Sequence, residues 1–445
     1  MFGTSGIRGI FGKDVTSELA LQVGMALASE GKVGETIVIA RDTRKSGTVL
    51  EYAVAAGANS CGANVLRAGI IPTPTLALAV KRHNARGVMI TASHNPPEYN
   101  GLKIFDKGLE ASKKLEGEIA RRIEKKEFRI VDWKSVGKDK LVHGAVEEHI
   151  DLCLKNCDVK LIARKKPKVV IDCGDGAGSA ITPELLRRAG CQVIEINCKL
   201  NGEFGRGLEP NAENLKELMK RVIAEKADLG IAHDGDADRA IAVDEKGELV
   251  GLDAQLALIC EKVLTGKKGT IVTTVEASLG VLEFIRKFGG KPFVTRVGSL
   301  YVADEVKKKD AVFGGEPCGE YVFPESALVA DGVLTALKLV ELFCSAGSLN
   351  AAKKRVPIYE MRREKIRCGE KGKTMEKIGK EFENVFAGAK ISREDGLRAD
   401  FEDAWVLVRA SGTEPIIRIT CEGKSEKRLT EVYEKAKNLV SKNIQ

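Results

Sequence analysis

The chain has 445 residues, of which 43% are apolar, 30% charged and 5% aromatic, with a formal net charge of +8. That length predicts roughly three or four domains with ample core; no apolar run approaches the ~20 residues that cross a bilayer, and the aromatics are too sparse to stack nucleic-acid bases. The basic excess is interleaved with carboxylates, as at Glu116, Glu118, Arg121, Arg122, Glu124 and Lys125, so it suits a small anionic substrate better than a nucleic-acid partner.

The opening Met1-Phe2-Gly3-Thr4 has neither a basic n-region nor an apolar h-region, so secretion is not expected. The 11 cysteines are odd in number, show no Cys-x-x-Cys, and fall partly within apolar runs (Cys173, Cys260, Cys421). They predict a reducing, cytoplasmic setting without a disulfide framework or zinc cluster. The five histidines lie too far apart to suggest a ligand set.

In chain order, Phe2 to Gly9 reads as a glycine-punctuated loop carrying one cation, Arg8. Such loops let backbone amides approach an anion, although a flexible terminus is the ordinary alternative. A helix follows, capped by Thr16 or Ser17, with Leu19, Leu21, Val23 and Leu27 as its apolar residues. The strand Thr36 to Ala40 ends in a polar, basic loop, Arg41-Asp42-Thr43-Arg44-Lys45-Ser46. Strand-like runs ending in polar loops recur at 88–91, 169–172, 229–232, 271–274 and 311–313, with amphipathic helical stretches between them. This cadence predicts α/β layers with parallel pairing. The chain is too long for one such sheet, so three α/β units are expected, with breaks near Gly144, Asp244 and Val356-Pro357. Residues 125–143 are charge-rich and aperiodic, as at a domain edge. After Pro357 the pattern is that of a smaller α+β unit: an edge strand over 360–368, a helix around 375–386, strands over 405–408 and 416–421, and a final helix. No close sequence repeat is present.

Four loops carry side chains suited to chemistry. Thr91-Ala92-Ser93-His94-Asn95-Pro96 follows the apolar run Gly87 to Ile90, which places Ser93 on a turn at the carboxyl end of a strand, where α/β folds bind ligands. Its hydroxyl, beside His94 and ten residues before Lys103, could carry a covalent group; alone, the hexapeptide reads equally well as an ordinary turn. Asp234, Asp236 and Asp238 alternate through a tight loop and offer hard oxygen ligands for Mg2+, with Arg239 beside them suited to phosphate oxygens. An EF-hand is excluded because Arg239 stands where its turn needs glycine and both flanks are strands. Glu316 and Glu320 lie on a glycine loop, Gly314 to Glu320, that could bind sugar hydroxyls but by itself reads as a solvated turn. Arg409, Ser411, Gly412, Thr413 and Arg418 converge backbone amides, hydroxyls and two cations on one loop, a pattern that grips phosphate. Gly174 to Ser179 resembles a dinucleotide turn, but Ser179 replaces its third glycine and Asp175 would repel a pyrophosphate, so a turn needed for close packing is the better reading. No Walker A sequence exists, since Arg367 stands where Gly372-Lys373-Thr374 would need a glycine upstream.

Taken together, the motifs around Arg8, Ser93, Asp234 to Arg239, Gly314 to Glu320 and Arg409 to Pro415 resemble, in order and spacing over essentially the whole chain, the α-D-phosphohexomutase family. The resemblance implies three similar α/β mixed-sheet domains (1–145, 146–245 and 246–356) and a smaller C-terminal α+β domain (357–445) around a central cleft. It also implies a phosphoserine at Ser93; one Mg2+ held by Ser93, Asp234, Asp236 and Asp238; Arg8 and Arg239 on the transferred phosphate; Lys103 with His94 for proton transfer; Glu316 on sugar hydroxyls; and Arg409, Ser411, Gly412, Thr413 and Arg418 on the other phosphate. A sugar 1,6-bisphosphate is the implied activator and a small sugar phosphate the implied partner. The common sugar loop of the family is Gly-Glu-x-Ser-Gly-His, whereas Cys318 and Glu320 stand here. The loop looks more like that of archaeal phosphoglucosamine mutases, and Glu320 is a candidate partner for an amino-sugar ammonium. Phosphomannomutase or phosphoglucomutase activity is the alternative within the family. A metal-dependent sugar phosphatase and a non-catalytic phosphosugar-binding protein are the readings from other classes. The fourth domain is expected to move against the others, and a homo-oligomer is left open.

Overall fold

Apolar runs that end in polar loops become strands, and in the computed structural model, which describes residues 1–3, 6–411 and 415–444, these gather into four sheets. The first runs Ile7–Ile10, Tyr99–Asp106, Arg86–Ile90, Thr36–Arg41, Asn64–Ile70, Asp139–Leu141. The second runs Ala240–Val243, Leu229–His233, Lys168–Asp172, Gln192–Ile196. The third runs Lys291–Thr295, Thr270–Thr274, Phe313–Gly315, Tyr321–Val322.

These three sheets share a plan. Parallel strands fill most of each, but the strand after the polar loop turns back antiparallel beside the one before it, at Arg86–Ile90 with Tyr99–Asp106, Leu229–His233 with Ala240–Val243, and Phe313–Gly315 with Tyr321–Val322. The loops of Ser93, of the three aspartates, and of Glu316 are therefore the same hairpin in three units without close sequence repetition. The fourth sheet is wholly antiparallel, and Arg409 lies opposite Arg418 across its Ala404–Ala410 and Ile416–Gly423 hairpin.

Three expectations are corrected. Phe2 to Gly9 is not loop throughout, because Ile7–Ile10 pairs with Tyr99–Asp106 and sets Arg8 opposite Gly101. The partner strand supplies the order that Arg-Gly does not signal locally. The aperiodic stretch 125–143 contains an edge strand, Asp139–Leu141, paired with Asn64–Ile70. All three of its residues are exposed, so no alternation marks it. The strand expected at 311–313 begins later, at Phe313.

Helices Ser17–Ser29 and Gly47–Ser60 bury one face of the first sheet and Thr73–Arg82 the other. Thr16 caps the first of these helices, which buries Val23 and Leu27 but leaves Leu19 and Leu21 half-buried. One continuous apolar core joins the second and third sheets, from Ile150 to Val356. The fourth sheet has its own core and meets the third through Val275, Leu279, Trp405 and Leu407. Among the described residues, no helix is long and apolar enough to cross a membrane.

Candidate active site

The Ser93 turn is held by charge and geometry. Ser93 has φ of 49°, a left-handed conformation that costs a non-glycine residue about 1 kcal/mol and is kept where surroundings over-determine it. Here the surroundings are Arg44, buried, whose guanidinium donates to the carbonyls of Ser93 (2.9 Å), Asn95 (2.7 Å), Pro96 (2.6 Å) and Tyr99 (2.9 Å) and, through Nε, to Asp42 (3.0 Å). Asp42 also accepts from Thr91 Oγ1 (2.7 Å), which in turn accepts from Ser93 N (2.9 Å). The sequence marks Arg44 only as part of a basic loop; Asp-x-Arg at a strand end is the signal that could have singled it out.

The aspartate loop meets this turn directly. Ser93 Oγ donates to Asp234 Oδ2 at 2.6 Å and lies 3.3 Å from His94 Nδ1. A Cβ on Gly235 would stand 2.5 Å from the Ser93 carbonyl oxygen, and one on Gly176 2.6 Å from that of Gly235. The Gly174 to Ser179 turn is thus a buttress beneath the aspartate loop, in keeping with a turn needed for close packing. His233 closes the base of the loop: its Nδ1 donates to the Arg239 carbonyl (2.7 Å), which leaves Nε2 to accept from Thr182 (2.9 Å). Thr73, at the start of its helix, donates through Oγ1 to Asp236 Oδ2 (2.5 Å) and through N to Asp236 O (3.0 Å). Neither Thr73 nor His233 stands out in the sequence as a site residue.

Asp234, Asp236 and Asp238 present carboxylate oxygens within 4.8 Å of one another. All three are buried, and Oδ1 of each lacks a hydrogen-bond partner among the described residues. Burial, then the negative charges of Asp238 and Asp236, push the Asp234 carboxyl well above its ordinary range. Burial would raise Asp236 too, but Lys103 and Thr73 hold it low. Three orphaned hard oxygens crowded out of water fit a divalent cation. Lys103 is 2.9 Å from Asp238 and 3.6 Å from Asp236; burial alone would lower its ammonium, but these carboxylates outweigh burial and raise it. Burial and the Arg239 cation push His94 down to about 4, so its ring is neutral.

A cavity of about 430 Å³ opens from this cluster. The first two units contribute Arg8, His94, Lys103, Asp238 and Arg239 to its lining, the third Glu316, Cys318 and Glu320, and the fourth Arg409, Ser411 and Arg418. Gly412 and Thr413 lie outside the described residues. Arg239 is held by Glu320 (2.8 Å) and Glu209 (3.2 Å). Glu320 is therefore an ion-pair partner already, not an open carboxylate. Glu316 accepts from Gly298 N at 3.0 Å; burial, then Glu320, push its carboxyl up, and burial does the same to the Cys318 thiol. Arg409 bonds Asp395 at 2.9 Å and lies 3.7 Å from Glu276, an acid of the cavity wall that no motif in the sequence singles out.

Outside the cavity, folding brings His149, Cys153 and Asp331 together despite the wide spacing of the histidines. Both ring nitrogens of His149 are engaged, by Thr75 and Asp331.

This architecture recurs in known proteins. A solved phosphoglucomutase/phosphomannomutase family protein from Burkholderia thailandensis, 26% identical, superposes with a TM-score of 0.89 over 99% of this chain and 97% of its own. Curated relatives named "Probable phosphoglucosamine mutase" are 42% identical in Methanosarcina acetivorans and 43% in Pyrococcus abyssi, covering 100% of this chain and 99% and 98% of theirs. The profiles for phosphoglucomutase/phosphomannomutase α/β/α domains I, II and III match residues 1–130, 147–247 and 252–359, and the C-terminal domain profile matches 364–439. With each of the four loops falling in a matched segment, the chain belongs to the phosphoglucomutase/phosphomannomutase family of phosphohexomutases.

Proposed function

We propose that the cleft interconverts glucosamine 6-phosphate and glucosamine 1-phosphate through a phosphoserine at Ser93 and a bisphosphorylated sugar. The observation that carries this is one cavity with an anion grip at each end: Ser93, the aspartate loop, Arg8 and Arg239 at one, and Arg409, Ser411 and Arg418 at the other. A phosphatase needs only the first. Divided at 1–145, 146–245, 246–356 and 357–445, the chain gives each unit one of the four loops.

In the forward half-reaction the Ser93 phosphoryl group passes to the free sugar hydroxyl. The Oγ–P bond breaks as the sugar O–P bond forms, and the hydroxyl proton leaves toward the neutral ring of His94, with the Lys103 ammonium, kept charged by Asp238 and Asp236, beside it to steady the developing charge. Arg8 and Arg239 bear on the equatorial oxygens of the transferring group. Arg409, Ser411, Gly412, Thr413 and Arg418 hold the phosphate that does not react. The bisphosphate then turns over, and its other phosphate returns to Ser93. Asp234, Asp236 and Asp238 would hold Mg2+, which when bound neutralises charge on the transferring group. A sugar 1,6-bisphosphate serves as activator by phosphorylating an empty Ser93. Eleven unpaired cysteines support a cytoplasmic setting.

Glu316 is assigned to sugar hydroxyls, with Cys318 and Glu320 beside it. One observation favours a second sugar. Because Glu320 is paired with Arg239, a neutral hydroxyl at C2, as in mannose or glucose phosphate, needs no further counter-charge. The test is a panel: phosphorylated enzyme, Mg2+, a trace of matching bisphosphate and the 1-phosphates of glucosamine, mannose and glucose, with Ser93→Ala as control. The expected result is the highest kcat/KM for 6-phosphate formation with glucosamine. Equal or better use of the neutral sugars overturns the glucosamine reading, free phosphate in place of 6-phosphate overturns the mutase reading, and Glu320→Gln with unchanged discrimination removes the ammonium contact.

A further inference from the structure

Thr73 and Thr75 lie one position apart on each side of Pro74, yet they serve two contacts that meet again on the aspartate loop. Thr73 binds Asp236 twice, through its hydroxyl at 2.5 Å and its amide at 3.0 Å. Thr75 Oγ1 lies 2.8 Å from His149 Nδ1, and His149 Nε2 lies 3.1 Å from Asp331 Oδ2. A carboxylate can only accept, so Nε2 carries the proton and Nδ1 accepts from the threonine. The other oxygen of Asp331, Oδ1, caps the Gly332–Ala346 helix by accepting from Leu334 N at 2.9 Å. That helix starts hard against the same loop: a Cβ on Gly332 would stand 2.4 Å from the Arg239 carbonyl oxygen and 2.6 Å from that of Ala237.

The contacts close a ring. It runs from Asp236 through Thr73 and Thr75 to His149, then Asp331 and Gly332, and back to Ala237 and Arg239. It uses one helix packed on the first sheet, one residue from the helix Ala145–Lys155, and one helix that follows the third sheet. Thr75, His149 and Asp331 are completely buried. The arrangement has the donor order of a hydrolase triad but no access for a substrate, so its role is mechanical. It also has an electrostatic consequence, because both helices present their positive ends to a loop of three carboxylates.

We propose that His149 is a positioning residue for the cation site: by linking Thr75 to Asp331 it fixes the two helix starts that hold the aspartate loop. The inference rests on reading Asp234, Asp236 and Asp238 as the metal ligands. Loss of the link loosens the carboxylates without touching the sugar, and partners that orient ligands in this way are worth about 10- to 100-fold in metal affinity.

The test uses the full-length protein and Mn2+ as probe, with free Mn2+ read by electron paramagnetic resonance. His149→Gln and Thr75→Val are expected to raise the Mn2+ Kd about tenfold. The Mg2+ concentration for half-maximal turnover should rise with it, while KM for the sugar phosphate holds and kcat recovers at saturating Mg2+. Thr75→Ser, which keeps the hydroxyl, should match wild type. Val432→Ala, in the core of the fourth sheet, should lower Tm without moving the Mn2+ Kd, which separates positioning from general destabilisation. Should His149→Gln fail to fold, Thr75→Val decides alone, since it removes one hydroxyl. An Mn2+ Kd within about twofold of wild type in folded Thr75→Val overturns the inference alone. Asp236→Asn that still binds Mn2+ like wild type overturns the ligand assignment, and the inference with it.

Discussion

The two ends of the cleft are built differently. At one end Ser93 and the three aspartates are almost fully buried, and every element around them comes from the first three units, which share packed cores, the Thr73–Asp236 contact and the bond from Thr43 Oγ1 to the Asp175 carbonyl. At the other, Arg409 and Arg418 are half-buried on a hairpin whose sheet keeps a core of its own and joins the rest through four buried apolar side chains and a few polar bonds. The difference matches what each end has to do in the proposed reaction. Developing charge is stabilised best by groups that are already oriented in a water-poor site, since they need not reorganise during the reaction. A phosphate that must be gripped, released and exchanged for its partner needs a site that can open, and a small interface lets one unit move as a body.

The largest effect expected from this contrast is at Ser93. Ser93→Ala should lower kcat by roughly 10⁴-fold or more while sugar phosphate still binds, because the group proposed to carry the phosphoryl is gone and the far grip is intact. Arg409→Ala should do the reverse, raising KM about 10- to 100-fold through loss of a charge-assisted bond, with a smaller fall in kcat. If Arg409→Ala costs kcat as much as Ser93→Ala does, the two ends are not separable and the contrast fails. A subtler measurement is small-angle scattering with and without a sugar bisphosphate. The radius of gyration should fall on binding as the fourth unit closes on the others, and an unchanged value would mean the grip is as fixed as the aspartate loop.

How much of this was legible in the sequence follows the same division between local and assembled structure. Asp234, Asp236 and Asp238 announce themselves because carboxylates alternating between two apolar runs repel one another unless a cation sits among them. Arg409 and Arg418 do so because hydroxyls and cations share one short hairpin. What the sequence hides is what tertiary contact creates. Thr73 reads as an ordinary helix start after Pro72, and its bond to Asp236 spans 163 residues. Arg44 reads as a basic loop residue, since nothing local says that four carbonyls will turn toward it. Glu320 reads as an open acid, and its pairing with Arg239 exists only because the second and third units dock. The strand at Asp139–Leu141 has no buried face and so no pattern to read.

The smallest expected effect concerns the joint that lets the two ends differ. Glu422 is buried where the fourth sheet meets the third, accepting from the Leu279 amide at 2.7 Å and from the Trp405 indole. Burial first, with Asp253 adding to it and Arg398 and the two N–H donors opposing, pushes its carboxyl from the ordinary 4.5 up to about 7. A folded-state value above the unfolded one means that folding takes up a proton. The contribution of Glu422 to the joint is therefore full below about pH 4.5 and is lost as pH rises through about 7. The melting transition of the fourth unit should accordingly fall by a few degrees between pH 5 and pH 8. Glu422→Gln keeps an oxygen for both donors and carries no charge, so it should flatten that slope and leave the variant the more stable at pH 8. Equal slopes in the two proteins would mean that the buried carboxyl does not set the strength of the joint, which the apolar contact of Val275 and Leu279 with Trp405 and Leu407 and the remaining polar bonds, such as Arg398 to the Val275 carbonyl, would then hold.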